Sequence, residues 1–400
     1  MEKQNLVSLD AHLNSYNTLI TERGYSPGSA HGQIQLLTQF GQWLEKTRTT
    51  IYAVDELVVQ RFLRCQKGAG YVRRGDAAAL YRFLHMLREQ GATQRQKRPP
   101  LSSKQQVVAN YAGYLLEERG LSQAAVVNYV PFVDQFLAVG FRRTPFNLSQ
   151  LRAPDVSGFV RREARKLSPG RAQLLVCALR SFLLYLQHQG KVTTDLAVAV
   201  PTVARWSFAT LPKSLPPADV QKVLQHCERR TSVGRRNYAI LLLLARLGLR
   251  ACEIVALNLD DIDWEKARIT IRSKGGRWVQ LPLPADVGKA LAAYLRYDRP
   301  GCSCRRVFIR DRAPRTGFAN SIAISTLVMR ALQRAGVESA RKGAHLFRHS
   351  LATEMIRQGA SLDEIGELLR HQSPNTTAIY AKVDLPALRP LALPWPGGVQ

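Results

Sequence analysis

The sequence predicts a mainly α-helical protein with one small antiparallel β-sheet in its last third. Two observations lead to this fold class. Helical apolar patterns run through the first half of the chain and occur there twice, at nearly one offset. Residues 267–283, in contrast, alternate apolar and polar side chains on both sides of Gly275-Gly276, which is the pattern of a β-hairpin.

The repeat in the first half consists of two helical units, each of about 95 residues. The stretch that begins at Tyr16 resembles the stretch that begins at Tyr111, and each passes through Glu-Arg-Gly to a serine suited to cap a new helix. The Glu-Arg-Gly sequence recurs after 96 residues, and residues 80–91 match residues 179–190 at an offset of 99. Two matches at nearly one offset favour an internal duplication over a chance likeness between amphipathic helices.

Two linkers divide the chain into three predicted domains, at about 1–98, 99–205 and 206–400. Residues 95–104 are basic and contain two prolines, and residues 201–217 are rich in proline, so both stretches are typical of linkers. The first two domains are the helical units.

The third domain is predicted to run as three helices, the hairpin and further helices. The first helix starts at Pro217 or Ala218, and the apolar run at 238–245 indicates a second, buried helix. A Gly-Leu-Arg turn follows, and Arg250 lies where the third helix begins. Ser361 and Glu364 form a capping-box pattern. The later helices are predicted at 286–297, 322–336, 344–355, 362–371 and 376–383.

The charge of the chain points to a polyanionic partner. Lysine and arginine number 57 against 30 aspartates and glutamates, which gives a formal net charge of +27. A folded protein with such an excess of positive charge most often binds nucleic acid. Ribosomal and membrane-surface proteins are alternatives, although no long basic tail is visible.

The protein is expected to be cytoplasmic and associated with the nucleoid. The strongest apolar run, 238–245, is far shorter than the roughly 20 residues that span a membrane, and the first residues lack the layout of a signal peptide. The six cysteines are scattered, as in reduced intracellular proteins. Only Cys302 and Cys304 are close together, and one such pair is a weak indication of zinc.

Several chemistry-bearing residues of the third domain form a candidate phosphate site. Arginine grips phosphate oxygens bidentately, and lysine adds a mobile point charge. Few carboxylates are near in sequence, so a magnesium site is not expected, and a tyrosine beside such cations suggests covalent catalysis by its phenol oxygen. The residues are Arg250, Lys274, His345, Arg348, His371 and Tyr380, with neither metal nor cofactor expected.

A metal site at His345 and His349 is the competing interpretation, because positions i and i+4 share one helix face. The glutamate of a His-Glu-x-x-His zinc motif is replaced by Leu346, and no third ligand has suitable spacing. The pair His345 and Arg348, at i and i+3, is therefore assigned to the phosphate. His349 is expected to pack or hydrogen bond just behind the site, so that His349→Asn would mainly affect stability.

Four blocks of the third domain resemble, in order, those of the tyrosine recombinases, also called the phage integrase family. They are LGLRACEIVALNLDDID at 247–263, IRSKGGRWVQLPL at 271–283, HLFRHSLAT at 345–353 and LLRHQSPNTTAIYAKV at 368–383. The match covers about 212–385. It implies an α+β catalytic domain of that family, with residues 99–205 as the helical core-binding domain and residues 1–98 as an additional copy.

The resemblance implies a metal-free reaction on double-stranded DNA. Tyr380 would attack a DNA phosphate and form a 3′-phosphotyrosyl bond, while Arg250 and Arg348 would hold the non-bridging oxygens. Lys274 would protonate the departing 5′-oxygen. The 5′-hydroxyl of another strand would then attack the phosphotyrosine, so neither ATP nor a metal is needed.

The remaining roles also follow from the resemblance. His345 would assist proton transfer, and His371 would donate a hydrogen bond to the phosphate. Glu253 would orient Arg250 or His345. The first motif departs from the family at Leu247 and the third at Phe347, and Arg370 replaces the usual glycine before His371, where it would alter the turn or add a phosphate contact.

Assembly and DNA contacts are expected as well. A homotetramer on two DNA sites is implied, with other recombinases of the same mobile element as further candidate partners. Arg171 and Arg180, in or after the basic stretch 161–173, are candidate DNA contacts, and a solvated basic face is the alternative. Leu391, Leu393 and Trp395 of the proline-rich tail are expected to pack on a neighbouring subunit, and packing on their own domain is the alternative. A DNA-binding accessory protein without catalysis and a type IB topoisomerase are the rival classes.

Overall fold

The structure, a computed structural model, describes residues 9–68, 70, 73, 75–94, 100–141, 146–204, 212–273, 276–340, 342–383 and 388. Lys274, residues 95–99 and 205–211 of the two predicted linkers, and the tail residues Leu391, Leu393 and Trp395 lie outside the described residues. Over the described part the chain is mainly helical with one three-stranded antiparallel sheet, which confirms the predicted fold class. No described helix is both long enough and apolar enough to cross a membrane.

The first helical segment contains four α-helices around one apolar core. Ser26 begins the second of them, because its hydroxyl accepts a hydrogen bond from the Ser29 amide and Pro27 occupies the first helical position. Tyr16, Phe40 and Phe62 are buried among the helices. The helices are α1 (Leu9–Glu22), α2 (Pro27–Lys46), α3 (Glu56–Gly68) and α4 (Asp76–Glu89), with a 3₁₀ helix at Ile51–Ala53.

The second segment has the same succession of four helices around its own core. Ser122 caps its second helix through the Ala125 amide, in the manner of Ser26. Phe136, Phe159 and Phe182 lie in the core. The helices are α5 (Ser103–Glu117), α6 (Gln123–Gly140), α7 (Ala153–Ala164) and α8 (Pro169–His188), with a 3₁₀ helix at Leu148–Gln150.

One buried contact recurs at matching places in the two segments. The Tyr16 hydroxyl donates to the carbonyl of Ala79 at 3.3 Å, and the Tyr111 hydroxyl donates to the carbonyl of Ala178 at 3.3 Å. Each tyrosine also meets a phenylalanine of the fourth helix edge to face, at 5.6 Å for Phe83 and 5.1 Å for Phe182. Because both contacts tie the first helix to the fourth, they support an internal duplication.

The third segment combines helices with the small sheet. The sheet order is β1-β2-β3, and Thr270 of β2 pairs with Gln280 of β3, so the predicted hairpin is present. The helices are α9 (Pro217–Gln225), α10 (Ser232–Leu247), α11 (Ala251–Ala256), α12 (Ala285–Tyr297), α13 (Ile322–Arg334), α14 (His345–Arg357), α15 (Leu362–Leu369) and α16 (Pro374–Thr377). The strands are β1 (Ile262–Asp263), β2 (Arg268–Arg272) and β3 (Trp278–Pro282), and 3₁₀ helices lie at Leu259–Asp261 and Ala378–Val383.

Helix α10 is the centre of this segment, since its residues from Ala239 to Ala245 are all buried. It packs against α12 and α14. The chain as a whole packs into two compact units, residues 96–209 and residues 1–95 with 210–400. The division into three domains stays a prediction.

The end of the third segment differs in detail from the prediction. A single short helix was expected at 376–383, whereas α16 begins at Pro374 and a 3₁₀ helix follows from Ala378. Proline favours the first helical position, which explains the earlier start. The 3₁₀ helix carries Tyr380 with 1% of its surface exposed, inside a small apolar cluster with Ala352, Ile365 and Leu369.

Candidate active site

Arg250 is held at the start of α11 by Glu253. The backbone amide of Arg250 donates to one carboxylate oxygen of Glu253 at 2.8 Å, and its Nη1 donates to the other oxygen at 2.8 Å. Nη1 also lies 3.4 Å from the hydroxyl of Ser273, the residue before Lys274. Because Glu253 fixes both ends of Arg250, the guanidinium is oriented before any ligand arrives.

Gly248 forms the turn that leads from α10 to Arg250. Its φ of +56° lies in the left-handed region, and a Cβ there would stand 2.7 Å from Cδ2 of Leu369. Glycine is therefore required by both conformation and space. The carbonyl of Gly248 accepts a hydrogen bond from Arg348 Nη1 at 2.6 Å, so the turn also positions the second arginine.

Arg348 is a buried cation on α14, with 4% of its surface exposed. Its Nη2 donates to the carbonyl of Leu369, at the end of α15. Burial, followed by the neighbouring Arg250 and Arg370, lowers the pKa of Arg348 to about 9. A phosphate bound here would bring negative charge next to these clustered cations and would stabilise their charged forms.

Arg370 adopts the left-handed conformation, with φ of +56°, at the end of α15. Its side chain turns inward, where Nη2 donates to Glu253 at 3.0 Å and Nη1 donates to the carbonyl of Leu368 at 2.9 Å. Burial lowers its pKa, although Glu253 opposes that effect. Glu253 thus bridges Arg250 and Arg370, and Arg370 replaces the family's glycine with a buried ion pair.

Replacing Arg370 by glycine should destabilise the protein by roughly 2 kcal/mol. The left-handed backbone would relax by about 1 kcal/mol, but loss of a buried ion-pair partner costs about 3 kcal/mol. Arg48 is the matched control, because it also has a positive φ, of +52°, but is exposed. Urea unfolding should show Arg48→Gly stabilised and Arg370→Gly destabilised; equal stabilisation of both variants would contradict the assigned ion pair.

His371 is paired with Thr377. Its Nδ1 lies 2.7 Å from the Thr377 hydroxyl, which is buried. Burial, followed by Arg348, Arg250 and Arg370, lowers the pKa of His371 to about 4, so the ring is neutral at pH 7. When the threonine hydroxyl donates to Nδ1, the ring proton resides on Nε2, and a neutral donor is available for an oxyanion.

Tyr380 contacts His349 directly. The tyrosine Oη and the His349 Nδ1 are 2.9 Å apart, and the two rings lie 5.7 Å apart at 58°. Burial raises the pKa of Tyr380 to about 12, although Arg348 and Arg250 oppose the rise. The His371 ring lies 6.4 Å from the tyrosine ring and nearly parallel to it.

The other predicted residues fall in several places. His345 begins α14, with its ring 6.4 Å from that of His349. In the second segment, Arg171 lies over the Phe132 ring at 4.8 Å, and Arg180 donates to the carbonyl of Val200 at 2.8 Å. Arg180 is thus part of the packing of its own segment.

A cleft of about 730 Å³ opens beside the site, lined in part by Ser273, Arg370, His371 and Thr377. Among the described residues, no cluster of three or more histidine, cysteine, aspartate or glutamate side chains could hold a metal ion. The structure brings together Arg250, Glu253, Arg348, His371 and Tyr380, with His345 one turn from His349.

Three contacts of the site were not predicted from the sequence. They are the pair of Arg370 with Glu253, the bond of Thr377 to His371 and the direct contact of His349 with Tyr380. The departure at Arg370 was a visible signal, since a residue other than glycine at a predicted turn indicates a compensating contact. The other two contacts depend on how the 3₁₀ helix and α16 pack. No local sequence pattern indicates that packing.

Comparison with known proteins places the chain in a family. The model of the phage integrase family matches residues 213–385. A Sinorhizobium fredii protein named as an integrase/recombinase, y4rA, is 45% identical over 386 residues, which cover 95% of this chain and 93% of that protein. Tyrosine recombinase XerD of Mycobacterium tuberculosis is 34% identical over 300 residues, covering 72% and 88%.

A solved structure agrees in fold. The XerH site-specific recombinase, crystallised on its palindromic difH substrate after cleavage, matches with a TM-score of 0.58 at 20% identity, covering 77% of this chain and 93% of that one. The fold and the sequence relatives define an enzyme that breaks and rejoins DNA strands. The chain belongs to the phage integrase family, the tyrosine recombinases, which confirms the resemblance seen in its four blocks.

Proposed function

We propose that this protein is a site-specific recombinase that cleaves DNA through a 3′-phosphotyrosyl bond at Tyr380. The observation that carries the proposal is the convergence of two arginines and a neutral histidine around one buried tyrosine. Cationic donors fixed in advance stabilise the charge that develops on a phosphate under attack. Integration, transposition or resolution of a mobile element is the proposed task.

Each residue has a proposed part in cleavage. Arg250 and Arg348 hold the non-bridging oxygens of the scissile phosphate, and His371 donates to it from Nε2. Tyr380 Oη attacks phosphorus and displaces the 5′-oxygen, which takes a proton from Lys274. The hydroxyl of Ser273, the residue before Lys274 in the sequence, lies 3.4 Å from Nη1 of Arg250.

His345 and Glu253 have supporting parts. His345 begins the helix that carries Arg348, and it assists proton transfer at the phosphate. Glu253 orients Arg250 through two hydrogen bonds of 2.8 Å, so of the two partners considered for it, Arg250 is the one favoured here.

Double-stranded DNA is the proposed partner, and the excess of 57 basic over 30 acidic residues supports it. Residues 99–205 would act as the core-binding domain, with Arg171 as a backbone contact, and 1–98 as its duplicate. A tetramer on two DNA sites, in which Leu391, Leu393 and Trp395 pack on a neighbouring subunit, completes the proposal.

A suicide substrate tests the function. Full-length protein is incubated with a nicked DNA site whose cleaved end diffuses away, and a denaturant-resistant protein–DNA adduct is sought in the presence of EDTA. The adduct should form with the wild-type chain and be absent with Tyr380→Phe. An adduct that persists in Tyr380→Phe, or an activity that EDTA removes, would overturn the proposal.

A further inference from the structure

The hydroxyl of Tyr380 has one side-chain hydrogen-bond partner in the described part of the chain, and that partner is a histidine. His349 Nδ1 lies 2.9 Å from Tyr380 Oη. His349 is placed by α14, directly after Arg348, and the 3₁₀ helix Ala378–Val383 packs against α14. The two side chains therefore come from elements whose packing fixes their separation.

The tyrosine needs a proton acceptor at this position. Its burial raises its pKa to about 12, so the phenol is protonated at neutral pH and is a poor nucleophile. A general base must lie within hydrogen-bond reach of the proton that it removes, and 2.9 Å meets that condition.

His371 is the obvious competitor, and its contacts argue against it. Its Nδ1 is bonded to Thr377 at 2.7 Å, and no hydrogen bond joins it to Tyr380 among the described residues. When the Thr377 hydroxyl donates to Nδ1, Nε2 carries the ring proton and can only donate. His371 is thus suited to the phosphate, and His349 is suited to the nucleophile.

We propose that His349 is a catalytic residue that accepts the Tyr380 proton during strand cleavage, which rests on the function proposed above. In the tautomer protonated at Nε2, His349 Nδ1 takes the phenol proton as Oη bonds to phosphorus. The bond from phosphorus to the 5′-oxygen breaks, and that oxygen leaves as a hydroxyl with a proton from Lys274. On rejoining, the incoming hydroxyl returns its proton to Lys274, and His349 returns its proton to the departing phenolate.

The charges around His349 suit this role. Arg348 and His345 lie on its own helix, the 3₁₀ helix contributes Tyr380 and Lys382, and His371 follows α15. A bound phosphate would bring negative charge beside these groups, and that charge would favour transfer of the proton to His349 when the substrate is in place.

Single-turnover cleavage of the suicide substrate tests this assignment in the full-length chain. His349→Asn keeps a polar side chain beside Tyr380 but cannot accept the proton effectively. The variant should bind DNA with unchanged affinity and cleave about 100-fold more slowly. An Asn variant that cleaves at the wild-type rate would overturn the proposal.

Two chemical substitutions separate proton transfer from folding. Difluorotyrosine at position 380 has a more acidic phenol, so it should restore cleavage to His349→Asn by at least tenfold. A substrate with sulfur at the bridging 5′ position has a leaving group that needs no proton. The sulfur substrate should therefore restore cleavage by the Lys274→Ala variant but not by the His349→Asn variant. If the sulfur substrate alone restored cleavage by the His349→Asn variant, the assignment would be contradicted. Failure of the proposed function would appear differently, as no adduct with the wild-type chain.

Discussion

Replacement of Arg348 by alanine is expected to reduce strand cleavage about a thousandfold while DNA binding by the full chain falls far less. Arg348 is buried and is tied to two backbone carbonyls, those of Gly248 and Leu369. In the proposed reaction it presents a pre-oriented charge to the phosphate, and loss of one such donor typically costs two to three orders of magnitude in rate. Single-turnover cleavage measures the effect.

Lysine at position 348 makes the test more specific. An ammonium group is a point charge and cannot bond both carbonyls while gripping a phosphate, so Arg348→Lys should also lose about a hundredfold. Arg357, exposed at the end of the same helix, is the matched control, and Arg357→Ala should cleave at the wild-type rate. A lysine variant with near wild-type cleavage would show that charge alone is sufficient.

The second large effect is expected from Glu253→Gln. The carboxylate accepts hydrogen bonds from the Arg250 amide, the Arg250 guanidinium and the Arg370 guanidinium. Glutamine keeps the shape but removes the charge, which leaves buried cations without compensation at a cost of about 3 kcal/mol. Urea unfolding should show this loss, and cleavage should fall because Arg250 is no longer fixed.

An exposed ion pair provides the control for this prediction. Asp286 pairs with Arg246 at 2.9 Å, and both side chains are more than 40% exposed. Asp286→Asn should therefore change the unfolding free energy by less than about 0.5 kcal/mol. Equal effects of the two substitutions would mean that Glu253 is not the partner on which the buried arginines depend.

Local signals in the sequence were sufficient for much of the fold. Ser361 and Glu364 form the predicted capping box, since both partners lie within four residues of each other. The hairpin was predictable because alternation across Gly275-Gly276 is also a local pattern. Arg250 was predicted to begin a helix after a glycine turn, and it caps α11.

The contacts between distant elements were not predictable in the same way. The sequence assigned His349 a place behind the site, whereas packing of the 3₁₀ helix on α14 brings its ring to the tyrosine hydroxyl. Likewise, Arg370 was expected to alter a turn or contact a phosphate, and its side chain reaches Glu253, 117 residues earlier in the chain. Such pairings depend on tertiary packing, which has no periodic signature.

The C-terminal end of α10 links the hydrophobic core to the position of two arginines of the site. Leu247 and Gly248 offer their carbonyls to Arg370 and Arg348, at the end where the helix dipole is negative. Because residues 239–245 of α10 are all buried, the packing of the hydrophobic core also determines the spacing of these two arginines. A core substitution that shifts α10 by a fraction of a turn would displace both arginines together. A relative of this protein can therefore keep the activity only if it also keeps the packing of α10 in the core.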